Sequence, residues 1–446
     1  KVRSSPLAMR AWNRRQFLQT MSAGAVASLT SQLTCAAQAN PPPNIVLIIS
    51  DDHGWTDYGF MAHPHIRTPH LDRLATQSIV YPRGYVVAPL CCPSLASILT
   101  GNFVHQHGVV CNDPPGWPAD KSGREQLCKF IEAQPALPRL LAQRNYLSFQ
   151  AGKWWLGNFK TGGFSDGMSH GDTSKGGRHG DLGLQIGRQT MEPVFDFIRA
   201  SKSAARPFFL WYAPMMPHAP HNPPARLLDK YKDKTNSLPI AKYWAMVEWF
   251  DETCGQLLDF LDQQKLSNNT LVLYTADNGV AYTNDGKEFR SKREPYDKGI
   301  RTPIMVRYLG HLQPRRSETP VSSIDFYATA LASAGIDKPK TAPGVNLLDE
   351  TAVNARGPVF GSAFLHTALT LSDPAANLHC RYIIDSRWKL IAWFDPKQNR
   401  TVRQELFDVV ADPDEQHDLA TDQPQKVAQL LQQLDQWWTP KVTQSR

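Results

Sequence analysis

Two pairs of hard oxygen donors stand out in this chain. Asp51-Asp52 directly follows the apolar run 45–49, and Asp277-Asn278 closely follows a second such run, 271–274. Adjacent carboxylates at the end of a buried strand repel each other unless a cation lies between them. Three carboxylates and one amide oxygen make an all-oxygen donor set. That set suits Ca²⁺ and, less well, Mg²⁺; it is a poor set for Zn²⁺. Either pair alone would serve equally as a loop or helix cap. Two pairs at equivalent strand ends point to a metal.

A candidate nucleophile is Cys91. Residues 90–101 read as a loop opening into a short helix, with Pro93 at its first position, Gly101 as its stop, and Leu95, Ile98 and Leu99 as an apolar stripe. Cys91 then lies just before a helix N-terminus, where backbone N–H groups and the dipole favour an anion such as a sulfate group or a thiolate. A pair of inert, buried cysteines (Cys91 and Cys92) satisfies the same local pattern. Lys153, His218 and Lys292 complete the set. Taken singly, His218 reads as a turn histidine among prolines and Lys292 as a solvated lysine in a basic run.

The elements that must position these residues are short buried strands. Runs 45–49, 146–149, 207–212 and 271–274 end respectively in Asp51-Asp52, Gly152-Lys153, Pro217-His218 and Asp277-Asn278-Gly279. Continuous apolar runs of this length fit a parallel or mixed sheet covered on both faces. Helical patterns at 192–200 and 243–261 lie between them, which implies an α/β sandwich. In such sheets functional groups gather beyond the carboxyl ends of the strands. Residues 162–187, rich in Gly, Ser, Asp and His, read as a long loop. After about residue 355 the character changes. Segments 358–364, 382–385 and 388–394 look like antiparallel strands, and 427–438 places Leu430, Leu431, Leu434 and Trp438 on one helical face.

The first 39 residues read as an export signal. Arg14-Arg15-Gln16-Phe17-Leu18 is a twin-arginine pattern, and Ala37-Gln38-Ala39 is a cleavage pattern. This segment holds five of the 48 basic residues and no acid, so the remainder carries 43 basic against 41 acidic residues. That balance does not support nucleic-acid binding. No later run is long and apolar enough to span a membrane. The division expected is a signal at 1–39, a catalytic domain at 40–355 and a C-terminal subdomain at 356–446, in a periplasmic or secreted bacterial protein. Seven cysteines show no CxxC pattern; in an oxidising compartment a Cys111–Cys128 disulfide is one option.

Six motifs in order resemble one family. They are Asp51-Asp52, Cys91-x-Pro93-Ser94 with Leu99-Thr100-Gly101, Gly152-Lys153-Trp154, Pro217-His218-Ala219-Pro220, Asp277-Asn278-Gly279, and Lys292 through Gly299-Ile300-Arg301-Thr302-Pro303. Glu405-Leu406-Phe407-Asp408 and Asp412-Pro413 match its ending. The chain resembles the formylglycine-dependent sulfatases of the alkaline-phosphatase superfamily. The resemblance implies a large central mixed sheet flanked by helices, plus a smaller C-terminal α+β subdomain with an antiparallel sheet. It implies that a formylglycine-generating enzyme oxidises Cys91 to formylglycine, whose hydrate attacks a sulfate ester and forms a sulfated enzyme intermediate. It implies that Asp51, Asp52, Asp277, Asn278 and Cys91 surround one Ca²⁺, that Lys153 and Lys292 bind sulfate, and that His218 or Lys292 protonates the leaving alcohol.

Two positions depart from the family pattern. Leu95 stands where an Arg is usual, and Trp155 where a His is usual. The first puts maturation of Cys91 in question. The second leaves the base unassigned, with His105 and His107 as options and Leu95 and Trp155 expected to pack together. A sulfated carbohydrate is the expected substrate. Trp154, Trp155 and Trp211 are available for stacking on a sugar or for packing. Arg290, Arg293, Lys298 and Arg301 are available for a polyanion, with His366, His379 and Arg381 at the rim. Two rival readings are a phosphomonoester or phosphonate-ester hydrolase of the same superfamily, and a non-catalytic sulfated-glycan binder with unconverted Cys91.

Overall fold

The computed structural model describes residues 42–172, 174 and 179–443; the export signal expected at 1–39 lies outside them. The four apolar runs are strands: β1 (Asn44–Ser50), β3 (Leu147–Gly152), β5 (Phe208–Ala213) and β6 (Thr270–Ala276). With β2 (Ile79–Tyr85), β4 (Asp166–Gly167), β7 (Arg301–Arg307), β8 (Arg315–Arg316) and β9 (Val321–Ser322) they form one mixed sheet in the order β4-β3-β5-β1-β6-β7-β2-β8, with β9 also on β2. β3, β5, β1 and β6 are mutually parallel, whereas β7 runs antiparallel to both β6 and β2. The carboxyl ends of β1, β2, β3, β5 and β6 and the start of β7 therefore share one edge. Every segment that carries a candidate residue meets that edge.

Alternation explains why the strands are apolar on both faces. Ile45, Leu47 and Ile49 of β1 face one core, and Val46 and Ile48 face another. The first core is closed by α2 (Cys91–Thr100), α3 (Ser122–Glu132) and α6 (Asp325–Ser333). The second is closed by α1 (Pro69–Thr76), α4 (Glu192–Ser203) and α5 (Leu238–Gln263). Each strand thus loses water on both sides, which a helix-covered sheet requires.

A second, antiparallel sheet runs β10 (Val359–Phe364), β11 (Leu378–Asp385), β12 (Trp388–Asp395) and β13 (Arg400–Asp408). Its inner face joins Tyr85, Val86 and Ile300 of the larger part, and its outer face packs on α7 (Pro424–Trp437) through Leu430 and Leu434. Strand β13 was not evident in patterning, because only its last three residues are buried. Among the described residues all six cysteines are free thiols, so Cys111 and Cys128 are not joined. No described helix is long and apolar enough to cross a membrane.

Candidate active site

The strand ends deliver their side chains to one buried point. Lys153 Nζ donates to Asp51 Oδ1 at 2.5 Å and lies 3.5 Å from Asp277 Oδ2. Lys292 Nζ donates to Asp52 Oδ2 at 2.7 Å and lies 3.3 Å from His218 Nε2. Asn278 Nδ2 donates to Asp52 Oδ1 at 2.7 Å, and the Asp52 amide donates to Asp277 Oδ1 at 3.2 Å. Asp52 takes a left-handed backbone (φ 55°), which turns consecutive carboxylates into the same space. Ligating atoms of Asp51, Asp52, Cys91 and His218 all lie within 4.8 Å of one another. All eight residues singled out from the sequence meet here.

Charge and unmet hydrogen bonds describe what the site lacks. Three buried carboxylates face two ammonium groups. Asp51 Oδ2, Asp277 Oδ2 and Asn278 Oδ1 are buried without a hydrogen-bond partner. Such orphans are costly unless something fills them. Burial, with Asp51 adding to it, pushes Asp277 up to about 7. Burial also raises Asp51, and Lys153 opposes it only in part. Asp52 is the exception: burial pushes it up, but Lys292, His218 and Lys153 together outweigh burial and hold it well below the usual range. A hard cation fits these three orphaned oxygens and the surplus of negative charge.

Cys91 is the first residue of α2 rather than the residue before it. Pro93 sits in the first turn, where a missing N–H costs nothing. The Cys92 amide donates to Asn112 Oδ1 at 2.9 Å, which caps the helix from outside. The whole helix is buried, so Leu95 belongs to a fully enclosed surface and not to an amphipathic stripe. Burial pushes the Cys91 thiol up to about 12 despite Lys153 and Lys292. As a thiol it is therefore un-ionised and a poor nucleophile at neutral pH.

His218 Nδ1 lies 2.6 Å from the Ala219 carbonyl. A carbonyl only accepts, so Nδ1 carries the proton and Nε2 is the free acceptor facing Lys292. Burial, against the pull of Asp52, brings His218 down to about 4 and keeps it neutral. Lys292 stays charged, because Asp52 outweighs the burial that disfavours its ammonium.

Several expectations are corrected. His105 and His107 lie beyond α2, on the separate short helix Val104–His107 that follows its stop at Gly101. His105 stacks on Trp438, with ring centres 4.4 Å apart. His107 Nδ1 accepts the Val109 amide, so its Nε2 donates to Ser97 Oγ at 2.9 Å. Both rings are thus taken up by partners other than Cys91. Trp154, Trp155 and Trp211 are at most 3% exposed and unavailable to a sugar. Lys298 pairs with Asp414. Arg301 is buried against Trp55 and Asp297. Arg381 is taken up by Asp435 and the carbonyl of Leu434.

Two residues at the site were not legible beforehand. His179 comes from the long loop and sits with its ring centre 4.6 Å from Trp155 and 6.0 Å from His218. Its carbonyl accepts the Trp154 amide at 2.8 Å. Arg188 holds the His218 loop by donating to the carbonyls of Met215 and His218 at 2.7 and 2.8 Å. Neither residue lies in a periodic segment or beside a strand end, so no local signal marked them.

Comparison with known proteins agrees with this geometry. A sulfatase family model matches residues 43–336, and a model described as N-sulphoglucosamine sulphohydrolase, C-terminal, matches residues 287–440. N-acetylgalactosamine-6-sulfatase of Canis lupus familiaris is 28% identical over 70% of this chain and 66% of its own length, just under two thirds. N-acetylglucosamine-6-O-sulfatase of Bacteroides thetaiotaomicron is 23% identical over 91% of this chain and 88% of its own. The phosphonate monoester hydrolase of Agrobacterium radiobacter shares the fold, with a TM-score of 0.67 at 17% identity over 88% of this chain and 95% of that one. The matched stretch 43–336 contains every residue of the cluster around Cys91, and by that match the chain belongs to the sulfatase family.

Proposed function

We propose that this protein is a sulfuric ester hydrolase acting on a sulfated carbohydrate, with formylglycine made from Cys91 and one calcium ion. The observation that carries this reading is the convergence of two ammonium groups, three carboxylates and the first residue of a buried helix on one point. The names of the curated relatives, both sulfatases of amino sugars, support the carbohydrate.

Asp51, Asp52, Asp277 and Asn278 would hold the calcium, which supplies positive charge to sulfate oxygens. Oxidised Cys91 supplies the hydrated aldehyde as nucleophile. The remaining work falls to residues in place. Lys153 is nearly inaccessible and tied to Asp51, so its charge is fixed before substrate arrives. Preorganised charge in a dry site stabilises developing anionic character without reorganisation. Lys292, bridging Asp52 and His218, flanks the other side. The neutral His218 has its Nε2 lone pair toward Lys292. A proton for the leaving alcohol thus comes from Lys292, whose ammonium His218 Nε2 orients as a hydrogen-bond acceptor.

The test has two parts. Mass spectrometry of the Cys91 peptide from the native host should show a loss of about 18 Da, distinct from the gain expected of a sulfenic acid. Turnover of matched sulfate and phosphate esters should favour the sulfate. An unmodified Cys91 in an active preparation, or preference for the phosphate, would refute the reading.

A further inference from the structure

A cleft of about 360 Å³ opens beside Lys292. Ligand pockets run from about 300 to 1,000 Å³, so this one suits a single sugar ring better than a chain lying through it. One wall is the loop 288–294. The other is formed by His366, His379 and Trp393 of the C-terminal part.

Both walls are tied to the segment around Cys91. The Arg293 amide donates to the Pro89 carbonyl at 2.7 Å, two residues before Cys91. The His366 carbonyl accepts the amides of Asn112 and Asp113, each at 3.1 Å, and Asn112 in turn caps the Cys92 amide. The loop is held from behind, where Arg290 donates to the Glu415 carbonyl at 2.7 Å. Whatever occupies the cleft is therefore registered against the cluster through Lys292.

The chemistry of the lining is specific. Phe289 is 56% exposed and lies at this cleft. The Arg293 side chain is also 56% exposed, with only a loose 3.7 Å approach to Glu288. Arg290 and Arg293 both take left-handed backbone (φ 47° and 71°), one on each side of Ser291-Lys292. Strain of that kind in long side chains collects at ligand clamps. Lys292 and Arg293 share this lining with Glu288 and Glu294, whereas the Arg290 guanidinium is turned back to the Glu415 carbonyl and the Tyr296 ring. This near balance of donors and acceptors matches hydroxyl groups, and the aromatic side chains Phe289 and Trp393 match the apolar C–H face of a pyranose. It does not match a dense polyanion.

We propose that this cleft is the subsite for the sugar ring that bears the scissile sulfate, with Arg293 and His379 as its specificity-determining side chains. The inference rests on the sulfatase reading above and adds the ring and its location. The ring carries a single sulfate, directed at Lys292, and its hydroxyls meet Arg293 and His379.

The full-length matured protein and the variants Arg293→Ala and His379→Ala are compared on a monosulfated hexosamine and on 4-nitrophenyl sulfate, with thermal unfolding as a control for folding. On the sugar, kcat/KM should fall about tenfold or more in each variant, mainly through KM. On the aryl ester the fall should be several-fold smaller. Arg293→Lys should recover only part of the loss, because the planar fork is not reproduced. Equal losses on both substrates, or the same sugar-selective loss from Trp244→Ala on the other side of the 281–289 loop, would overturn the subsite. Failure of the wild-type protein to cleave any sulfate ester would refute the sulfatase reading itself, and the subsite with it.

Discussion

Replacing Asp277 by Asn tests the charge balance of the site. In the metal-free protein burial and Asp51 raise Asp277 from 3.8 to about 7. Its folded state therefore binds a proton more tightly than its unfolded state. Where the native state holds more protons, stability falls as pH rises. The contribution is fully present below the unfolded pKa and is lost as pH rises through the folded one. Each pH unit inside that window is worth up to about 1.4 kcal/mol. Between pH 5 and pH 8 the wild type should lose about 2.5 kcal/mol relative to Asp277→Asn, which cannot ionise. Urea unfolding in the presence of a chelator, at pH 5, 6, 7 and 8, measures this difference, and groups common to both proteins cancel. Calcium should reverse the order, because it needs the carboxylate; at a hundredfold excess over its dissociation constant it adds about 2.7 kcal/mol to whichever protein binds it. The reasoning fails if the chelated wild type gains stability over Asp277→Asn with rising pH, or if calcium stabilises both equally.

Other consequences are testable separately. Cys91→Ser should fold and lose turnover by about a thousandfold or more, read as kcat on a sulfate ester. Lys292→Ala should lower kcat by roughly a hundredfold to a thousandfold, since it removes a preorganised charge and a proton source together. His105→Ala should keep kcat within a few-fold of wild type, whereas His107→Ala, which strands the buried Ser97 hydroxyl, should cost about 1–3 kcal/mol in urea unfolding with kcat little changed. Lys389 is buried between Asp297 and Glu415, at 3.0 and 2.6 Å. Lys389→Met should therefore destabilise the protein by about 3–5 kcal/mol, because two buried carboxylates lose their partner.

Much of the site was legible because of where its residues stand along the chain. Asp51, Lys153, His218 and Asp277 each follow an apolar run within a few residues, and apolar runs of that length are buried strands. A polar residue there has few places to go except the sheet edge. Residues 90–101 were legible as a loop opening into a short helix, although the helix begins at Cys91, two residues earlier than Pro93 suggested. His105 and His107 misled because the chain leaves α2 at Gly101 and carries them on a separate short helix, where Trp438 and Ser97 take up their rings. His179 was invisible for the opposite reason: it reaches the site from an irregular loop, held there by a backbone hydrogen bond to Trp154.

The tryptophans show the same limit. Trp154 and Trp155 are adjacent to Lys153, and sequence position made them equally available for packing or for a ligand. The structure buries both, and leaves Phe289 and Arg293 exposed on a loop with no periodicity.

Sequence alone determined which residues end the strands and which chemistry those residue types can perform, because alternation and run length report local burial. Tertiary structure decided which ends are neighbours. Lys153 meets Asp51 across 102 positions and Lys292 meets Asp52 across 240. Those meetings depend on the strand order β3-β5-β1-β6-β7-β2, which is not the order of the chain. Contacts of such separation arise only when the whole sheet closes, so no local pattern encodes them.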